Sequence, residues 1–518
     1  MPTKPNFLIL VTDEHSFRFL SARKSENGGE PCRTPTLDRL IEQGVHFDAA
    51  YCQNPVCVAS RAALLSGLHS HQCPALFPET PTIASHLTDF GYSTAAVGKM
   101  HLVGSRQHAG FGARPYGDFS GPSPAHQKDP LGLPGKRDHI FMPSIIKDVG
   151  NSDIPESLLQ ESVVASEASA WLREHRHANP EKPWLMYASF AHPHFPLNAP
   201  ARFFNRYFPN GATPPRILQT GDSMSHPMTR GALRADGAES QGFYAEDISA
   251  EETLKARAAY FACVDFVDEI LGDFLTTLDR AGLLDNTIII YTADHGELAG
   301  EHGLWWKRTW HEASVRVPLI VSLPEHRNRQ FAAKEIKEPA SLADLFPTIC
   351  GLCKVPEPEG LAGVDLSPIL LGNPCTAIQE RPGVITEHLS NFSGPGTEYR
   401  MIRSARYKYV AFNQCADLAF DLLEDPDEQH NLVGNSEKND VLEKLKTAVM
   451  DGFDFETSIN SQHRMISNFR KRFPTRVRPT TANQIIRGDG VMVEADQTLE
   501  HPQVVSWNPQ DDFDDAPE

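Results

Sequence analysis

Thr287-Ile288-Ile289-Ile290-Tyr291-Thr292-Ala293-Asp294-His295-Gly296-Glu297 contains the clearest strand in the chain. Its first half is β-branched or aromatic and apolar, the pattern of a short buried strand. Polar residues follow at the carboxyl end, the edge on which open α/β sheets build their sites. Just upstream, 255–278 carries apolar residues at helical spacing: Ala259, Cys263, Phe266, Val267, Ile270, Leu271 and Phe274. Helix followed by buried strand is the repeating unit of an α/β fold.

The same alternation extends toward the N-terminus. Phe7-Leu8-Ile9-Leu10-Val11 reads as a buried parallel strand ended by polar residues. Residues 36–43 are helix-like and Gly44 follows as a stop. Residues 93–97 and 184–190 are further strand candidates. The fold class predicted is α/β, a large mixed, mostly parallel sheet with helices on both faces. Residues 105–155 and 210–250, rich in Gly, Pro, Ser and charge, read as long inserted loops or lids. Gly372-Asn373-Pro374 marks a boundary. Beyond it, 399–402 and 407–412 read as paired strands and 440–449 as a helix capped by Asn439 or Asp440, together a small α+β subdomain. The expected division is a catalytic domain at 1–375, the subdomain at 376–455 and an arm at 456–518. The arm has little periodicity and closes on Asp511-Asp512-Phe513-Asp514-Asp515, yet Phe453, Phe455, Phe469, Phe473 and Trp507 could anchor it. It reads as a solvated tail or as a segment packed on a neighbouring subunit.

Composition narrows the function. The 518 residues are 40% hydrophobic and 22% charged, which is globular. Lys and Arg number 48 against 67 Asp and Glu, a net charge of −19. Such a chain is a poor partner for nucleic acid or for an anionic membrane surface. No apolar run reaches the about 18 residues that span a bilayer, and the run at 7–11 is too short for a signal core. The expected location is cytoplasmic. Nine cysteines, odd in number and irregular in spacing, fit a reducing compartment; Cys350 and Cys353 read as buried thiols.

Three clusters carry candidate chemistry. Val11-Thr12-Asp13-Glu14-His15 and Tyr291-Thr292-Ala293-Asp294-His295 each place acids at a strand end. Together they offer hard oxygen ligands and an imidazole, a reasonable set for one divalent cation. The third is Asn54-Pro55-Val56-Cys57-Val58-Ala59-Ser60-Arg61, in which a cysteine opens a predicted helix with an Arg four residues on. Thiolates are favoured at helix N-termini and beside Arg.

This segment resembles the C-x-P-x-R signature of the formylglycine-dependent sulfatases of the alkaline phosphatase superfamily. Other stretches match in order: Thr34-Pro35-Thr36-Leu37-Asp38-Arg39-Leu40, Gly98-Lys99-Met100-His101, His192-Pro193-His194-Phe195-Pro196, Asp294-His295-Gly296-Glu297 with Gly303-Leu304-Trp305-Trp306-Lys307, and Arg316-Val317-Pro318-Leu319. Asp421-Leu422, Asp425-Pro426 and Asn431-Leu432 resemble the end of the family's C-terminal subdomain. The likeness spans roughly residues 5–450, and within the family it is greatest to choline sulfatases and phosphonate monoester hydrolases. Ala59 stands where the commonest signature has proline, a form also written for the radical-type maturase. His295 stands where many arylsulfatases carry asparagine.

The resemblance implies an alkaline-phosphatase-like fold and metal-dependent hydrolysis of a small sulfate monoester. Cys57 would be oxidised to formylglycine by a formylglycine-generating or radical-type maturase. Asp13, Asp294, His295 and residue 57 would hold the cation, with Glu14 as a further ligand; calcium is favoured and manganese is the alternative. Arg61 and Lys99 would stabilise the aldehyde hydrate and sulfate charge. His101 is the candidate base, and His194 and Lys307 the candidates for binding sulfate and protonating the leaving oxygen. A homo-oligomer is implied as well. Trp305, Trp306 and Trp310 with Glu387 suggest a pocket for a quaternary ammonium, making choline sulfate a candidate substrate. The alternatives are a phosphonate monoester or phosphodiester hydrolase and, more remotely, a silent binding homologue.

Overall fold

The computed structural model describes residues 4–77, 80–102, 108–117, 146–147, 149–152, 154–218, 220–234, 248–472, 484–486 and 492–494. The strand Asn6–Asp13 lies inside an eight-stranded sheet, flanked by Thr287–Ala293 and Trp184–Pro193, both parallel to it. Outside Trp184–Pro193 come Ser93–Gly98 and Ala113–Tyr116, again parallel. On the other side Leu319–Ser322 runs antiparallel to Thr287–Ala293, followed by Val45–Phe47 and Lys334–Ile336. The sheet is mixed and mostly parallel, as the sequence predicts.

Alternation along the central strand feeds two cores. Phe7, Ile9 and Val11 point into one with Leu64, Leu65, Leu345 and Phe346. Leu8 and Leu10 point into the other with Val164, Leu172, Val267, Leu271 and Phe274. Helices thus cover both faces: Cys57–Ser66 and Leu345–Cys353 on the first, Gln160–Ala178 and Ala250–Arg280 on the second. Ser249 caps the last, accepting a hydrogen bond from the Glu252 amide while the Glu252 carboxylate accepts one from the Ser249 amide. Cys350 and Cys353 are buried free thiols.

The α+β satellite is an antiparallel sheet in the order Val384–His388, Tyr399–Arg403, Tyr407–Phe412, Leu418–Asp421. Helix Asn439–Met450 lies on it through Leu442, Leu445 and Val449. Three expectations need correction. The residue capping that helix is Lys438, without a side-chain cap, and Asp440 sits in the first turn instead. The start of the arm is not aperiodic: Phe455–Arg472 is a helix whose Phe455 and Ile459 pack with Phe453 on the satellite core. Its polar run of Ser, Asn, Gln and His conceals a narrow apolar stripe. The inserted segments are not all loop: within 210–250, Pro227–Arg234 is helical, and within 105–155, Ala113–Tyr116 is the edge strand of the main sheet, where its pairing with Ser93–Gly98 overrides its Gly- and Pro-rich surroundings. Phe473, Trp507 and the acidic end of the arm lie outside the described residues.

A buried cation fastens the satellite to the larger α/β part. Lys408 Nζ, fully buried, contacts Glu428 Oε1 at 2.6 Å and Glu312 Oε1 at 2.7 Å, and donates to the Trp310 carbonyl at 2.9 Å. Lys408→Met would leave Glu428 buried without its cation and Glu312 with Arg316 alone, a cost of about 3–5 kcal/mol. Urea unfolding should show a lower midpoint, partly recovered by Lys408→Arg; an unchanged midpoint for Lys408→Met would contradict this role.

Candidate active site

Two neighbouring parallel strands end together. Thr12 pairs with Ala293, so the next residues, Asp13 and Asp294, emerge side by side. Both carboxylates are fully buried. Arg61 joins them: Nη2 meets Asp13 Oδ2 and Nε meets Asp294 Oδ2, each at 2.8 Å. Nη1 donates to the Lys99 carbonyl at 2.5 Å and to Ser189 Oγ at 2.8 Å. Arg61 lies one turn beyond Cys57, the first residue of its helix. Fixing the guanidinium therefore fixes the thiol over the strand ends.

Because Arg61 takes both Oδ2 atoms, the Oδ1 atoms face elsewhere. Asp13 Oδ1 lies 3.7 Å from Cys57 Sγ and 3.8 Å from His295 Nε2. Asp294 Oδ1 lies 3.6 Å from the same nitrogen, and Cys57 Sγ lies 3.1 Å from it. His295 Nδ1 is 3.0 Å from the Gly296 carbonyl, the partner that turns Nε2 inward. Burial is the largest influence and opposes a charge on His295, as does Lys307, yet Asp294 and Cys57 together outweigh them and raise its pKa. Two buried acids and an imidazole, with ligand atoms within 4.8 Å of one another, fit a divalent cation by donor chemistry. Asp13, Glu14 and His194 form a second such group beside it.

Cations surround the thiol. Gly98, at φ 87°, has no room for a Cβ, which would fall 2.0 Å from the Ser189 carbonyl. Through this close approach Lys99 reaches Asp13 Oδ2 at 2.9 Å. His101 follows half-buried, in left-handed backbone at φ 52°. Lys307 Nζ is 3.1 Å from Glu14 Oε2, and His194 Nε2 is 3.4 Å from the same atom. Burial and Asp13 both oppose ionisation of Cys57, but Lys307, His295 and Lys99 prevail and hold its pKa well below the thiol range. Burial, then Lys307 and Lys99, push His194 down to about 3, so its ring is neutral. Its Nδ1 faces the Phe195 carbonyl at 2.7 Å, which leaves the Nε2 lone pair toward the site. Burial raises the Glu14 pKa and Glu297 adds to it, against the pull of Lys307.

The candidates Cys57, Arg61, Lys99, His194, Lys307, Asp13, Glu14, Asp294 and His295 therefore meet in one cluster. Of the aromatic and acidic candidates for the alcohol part, only Trp306 borders this cluster. Glu387 is fully buried and its carboxylate faces His71 Nδ1 at 2.9 Å and Arg400 at 3.4 Å, so it is already neutralised. Side chains alternate along Val384–His388, and His388 is the one that lies near Arg308. Trp310 is buried against His226, His311 and Phe412. Trp305 packs on a core cluster around Phe261. Trp306 carries Lys307 and Arg308 over its ring, each 4.8 Å from the centroid, where a ligand cation would have to lie. Sequence reasoning missed Ser189, a polar residue in an apolar strand, and Ser60, whose Oγ donates to the Asp294 carbonyl. It also gave no role to Glu297, which accepts from the Trp306 amide at 2.6 Å, or to Arg308.

Residues 5–355 match the sulfatase family, and residues 300–452 match the N-sulphoglucosamine sulphohydrolase C-terminal family. The choline-sulfatase of Rhizobium meliloti is 29% identical over 452 residues, 83% of each chain. The N-acetylglucosamine-6-O-sulfatase of Bacteroides thetaiotaomicron is 26% identical, covering 84% of this chain and 83% of its own. Among solved structures, the phosphonate monoester hydrolase of Agrobacterium radiobacter shares the fold with a TM-score of 0.69 at 22% identity, over 95% of this chain and 99% of that one. With the sulfatase match spanning most of the chain and a buried cysteine set among acids and cations at the sheet edge, the chain belongs to the sulfatase family.

Proposed function

We propose that the protein hydrolyses a small sulfate monoester, with Cys57 matured to formylglycine and its hydrate as nucleophile. The observation that carries this reading is the convergence of Cys57, Asp13, Asp294 and His295 at one point ringed by Arg61, Lys99 and Lys307. A monoanionic ester needs such cations to bind and to offset charge on its equatorial oxygens.

One hydroxyl of the hydrate forms a bond to sulfur while the S–O bond to the alcohol breaks. Lys307, raised to about 12 by Cys57, Glu14 and Asp13 despite its burial, is the ammonium beside the leaving oxygen. His194 presents a lone pair at Nε2 and so suits accepting the nucleophile's proton better than donating one to the alcohol. Loss of the proton from the second hydroxyl, with His101 as candidate base, then re-forms the aldehyde and expels sulfate. Water rehydrates the aldehyde, and the sum is ester plus water giving alcohol plus hydrogen sulfate. A resident divalent cation, calcium before manganese, would be held by Asp13, Asp294, His295 and residue 57, with Glu14 adjacent; it would lower the hydroxyl pKa and neutralise the transferring group.

A second reading, phosphonate monoester hydrolysis, is favoured by the likeness to the Agrobacterium radiobacter fold. Enzyme matured at Cys57 should show higher kcat/KM on an aryl sulfate than on the matching aryl phosphonate monoester, and Cys57→Ala should abolish both. The reverse ratio would favour the second reading.

Removal of metal by a chelator should abolish turnover, and calcium should restore it better than manganese. Asp294→Asn should weaken calcium binding, measured by calorimetry, by more than the ~10–100-fold that follows loss of a group that only orients a ligand. Full turnover of chelated enzyme would refute the metal site.

A further inference from the structure

Arg308 is held differently from Arg257 and Arg381. Arg257 donates to the Thr213 and Ala299 carbonyls and meets Glu30, and Arg381 pairs with Asp344. Arg308 makes no hydrogen bond or ion pair among the described residues; its Nε is buried without a partner, as is that of Arg381, but Arg381 has Asp344 to offset its charge. Its guanidinium is instead held by rings, 3.7 Å from the Phe392 centroid and 4.8 Å from that of Trp306. Leaving such a group unpaired is costly, and aromatic contacts orient it without using its N–H donors.

It stands next to the reaction. Lys307 precedes it, and Cys57 and Glu14 are both close enough to act on its charge, pulling its pKa back up against burial, which leaves it near 10. Two further polar atoms nearby lack partners among the described residues: Nε1 of Trp306 and Nε2 of His388. Burial drives the His388 pKa down to about 3 and Arg308 adds to the shift, so the ring is neutral. Trp306 and Arg308 both sit in left-handed backbone, at φ 77° and 82°, around Lys307. Non-glycine residues keep that conformation where the surroundings enforce it, often at functional sites.

Building on the sulfate-ester reading above, we propose that Arg308, with the indole N–H of Trp306 and the ring of His388, forms a subsite for an anionic group on the alcohol part of the substrate, a carboxylate or a second sulfo group. A guanidinium edge free to donate matches either oxyanion. The same positive charge disfavours a cationic alcohol such as choline.

The test compares kcat/KM for phenyl sulfate, 4-carboxyphenyl sulfate, hydroquinone bis-sulfate and choline sulfate. The native residue should prefer the anionic esters, with choline sulfate the poorest, and the carboxylate and bis-sulfate arms identify which anion is preferred. Arg308→Gln should lower kcat/KM for the preferred anionic ester roughly 10–100-fold more than for phenyl sulfate, and Arg308→Lys should retain part of the preference. Equal losses on anionic and neutral esters, or a native preference for choline sulfate, would overturn the proposal. Calorimetric binding of 4-hydroxybenzoate gives a readout without turnover. Binding weakened by Arg308→Gln in a protein inactive on all four esters would uphold this subsite while refuting the sulfate-ester reading.

Discussion

Arg61 bridging Asp13 and Asp294 is the constraint on which the site depends. The guanidinium and both carboxylates are buried, so each is stable there only while the others are in place. The same guanidinium also reaches the Lys99 carbonyl and the Ser189 hydroxyl, and so touches the ends of four neighbouring parallel strands. One side chain on one helix thereby aligns the helix start with the sheet edge. By taking one oxygen from each aspartate, it also turns the other pair toward Cys57 and His295. The thiol's position and the ligand pocket are two consequences of one set of hydrogen bonds.

Charge within this site is arranged in layers. The acids Asp13 and Asp294 lie under Cys57 with Arg61 between them, and Lys99 and Lys307 stand at the sides. The cations hold the Cys57 pKa down although burial and Asp13 oppose ionisation. The chain is acidic overall, yet the proposed reaction centre is lined by fixed positive charge, which is what an anionic ester requires.

Much of this was legible in the sequence because it depends on local pattern. Short apolar runs gave the parallel strands, and polar residues at their ends gave Asp13 and Asp294. The spacing of Cys57 and Arg61 gave one helical turn. What escaped depends on contacts between distant segments. Glu387 looked available to a ligand because nothing near it in sequence marks His71 and Arg400 as its partners. Trp305, Trp306 and Trp310 look alike in a line of text, but only Trp306 lies beside Lys307 and Arg308. The helix Phe455–Arg472 was hidden because its apolar residues are few, and Phe455 and Ile459, which pack on the satellite core, lie in its first turns.

The central claim is that residue 57 acts as an aldehyde and not as a thiol. Peptide mass spectrometry of active enzyme, made with and without a maturase, tests it most directly. The account predicts that the peptide spanning residue 57 carries the aldehyde mass and reacts with a hydrazine probe, and that turnover rises in proportion to that fraction. An unmodified Cys57 thiol in fully active enzyme would contradict it.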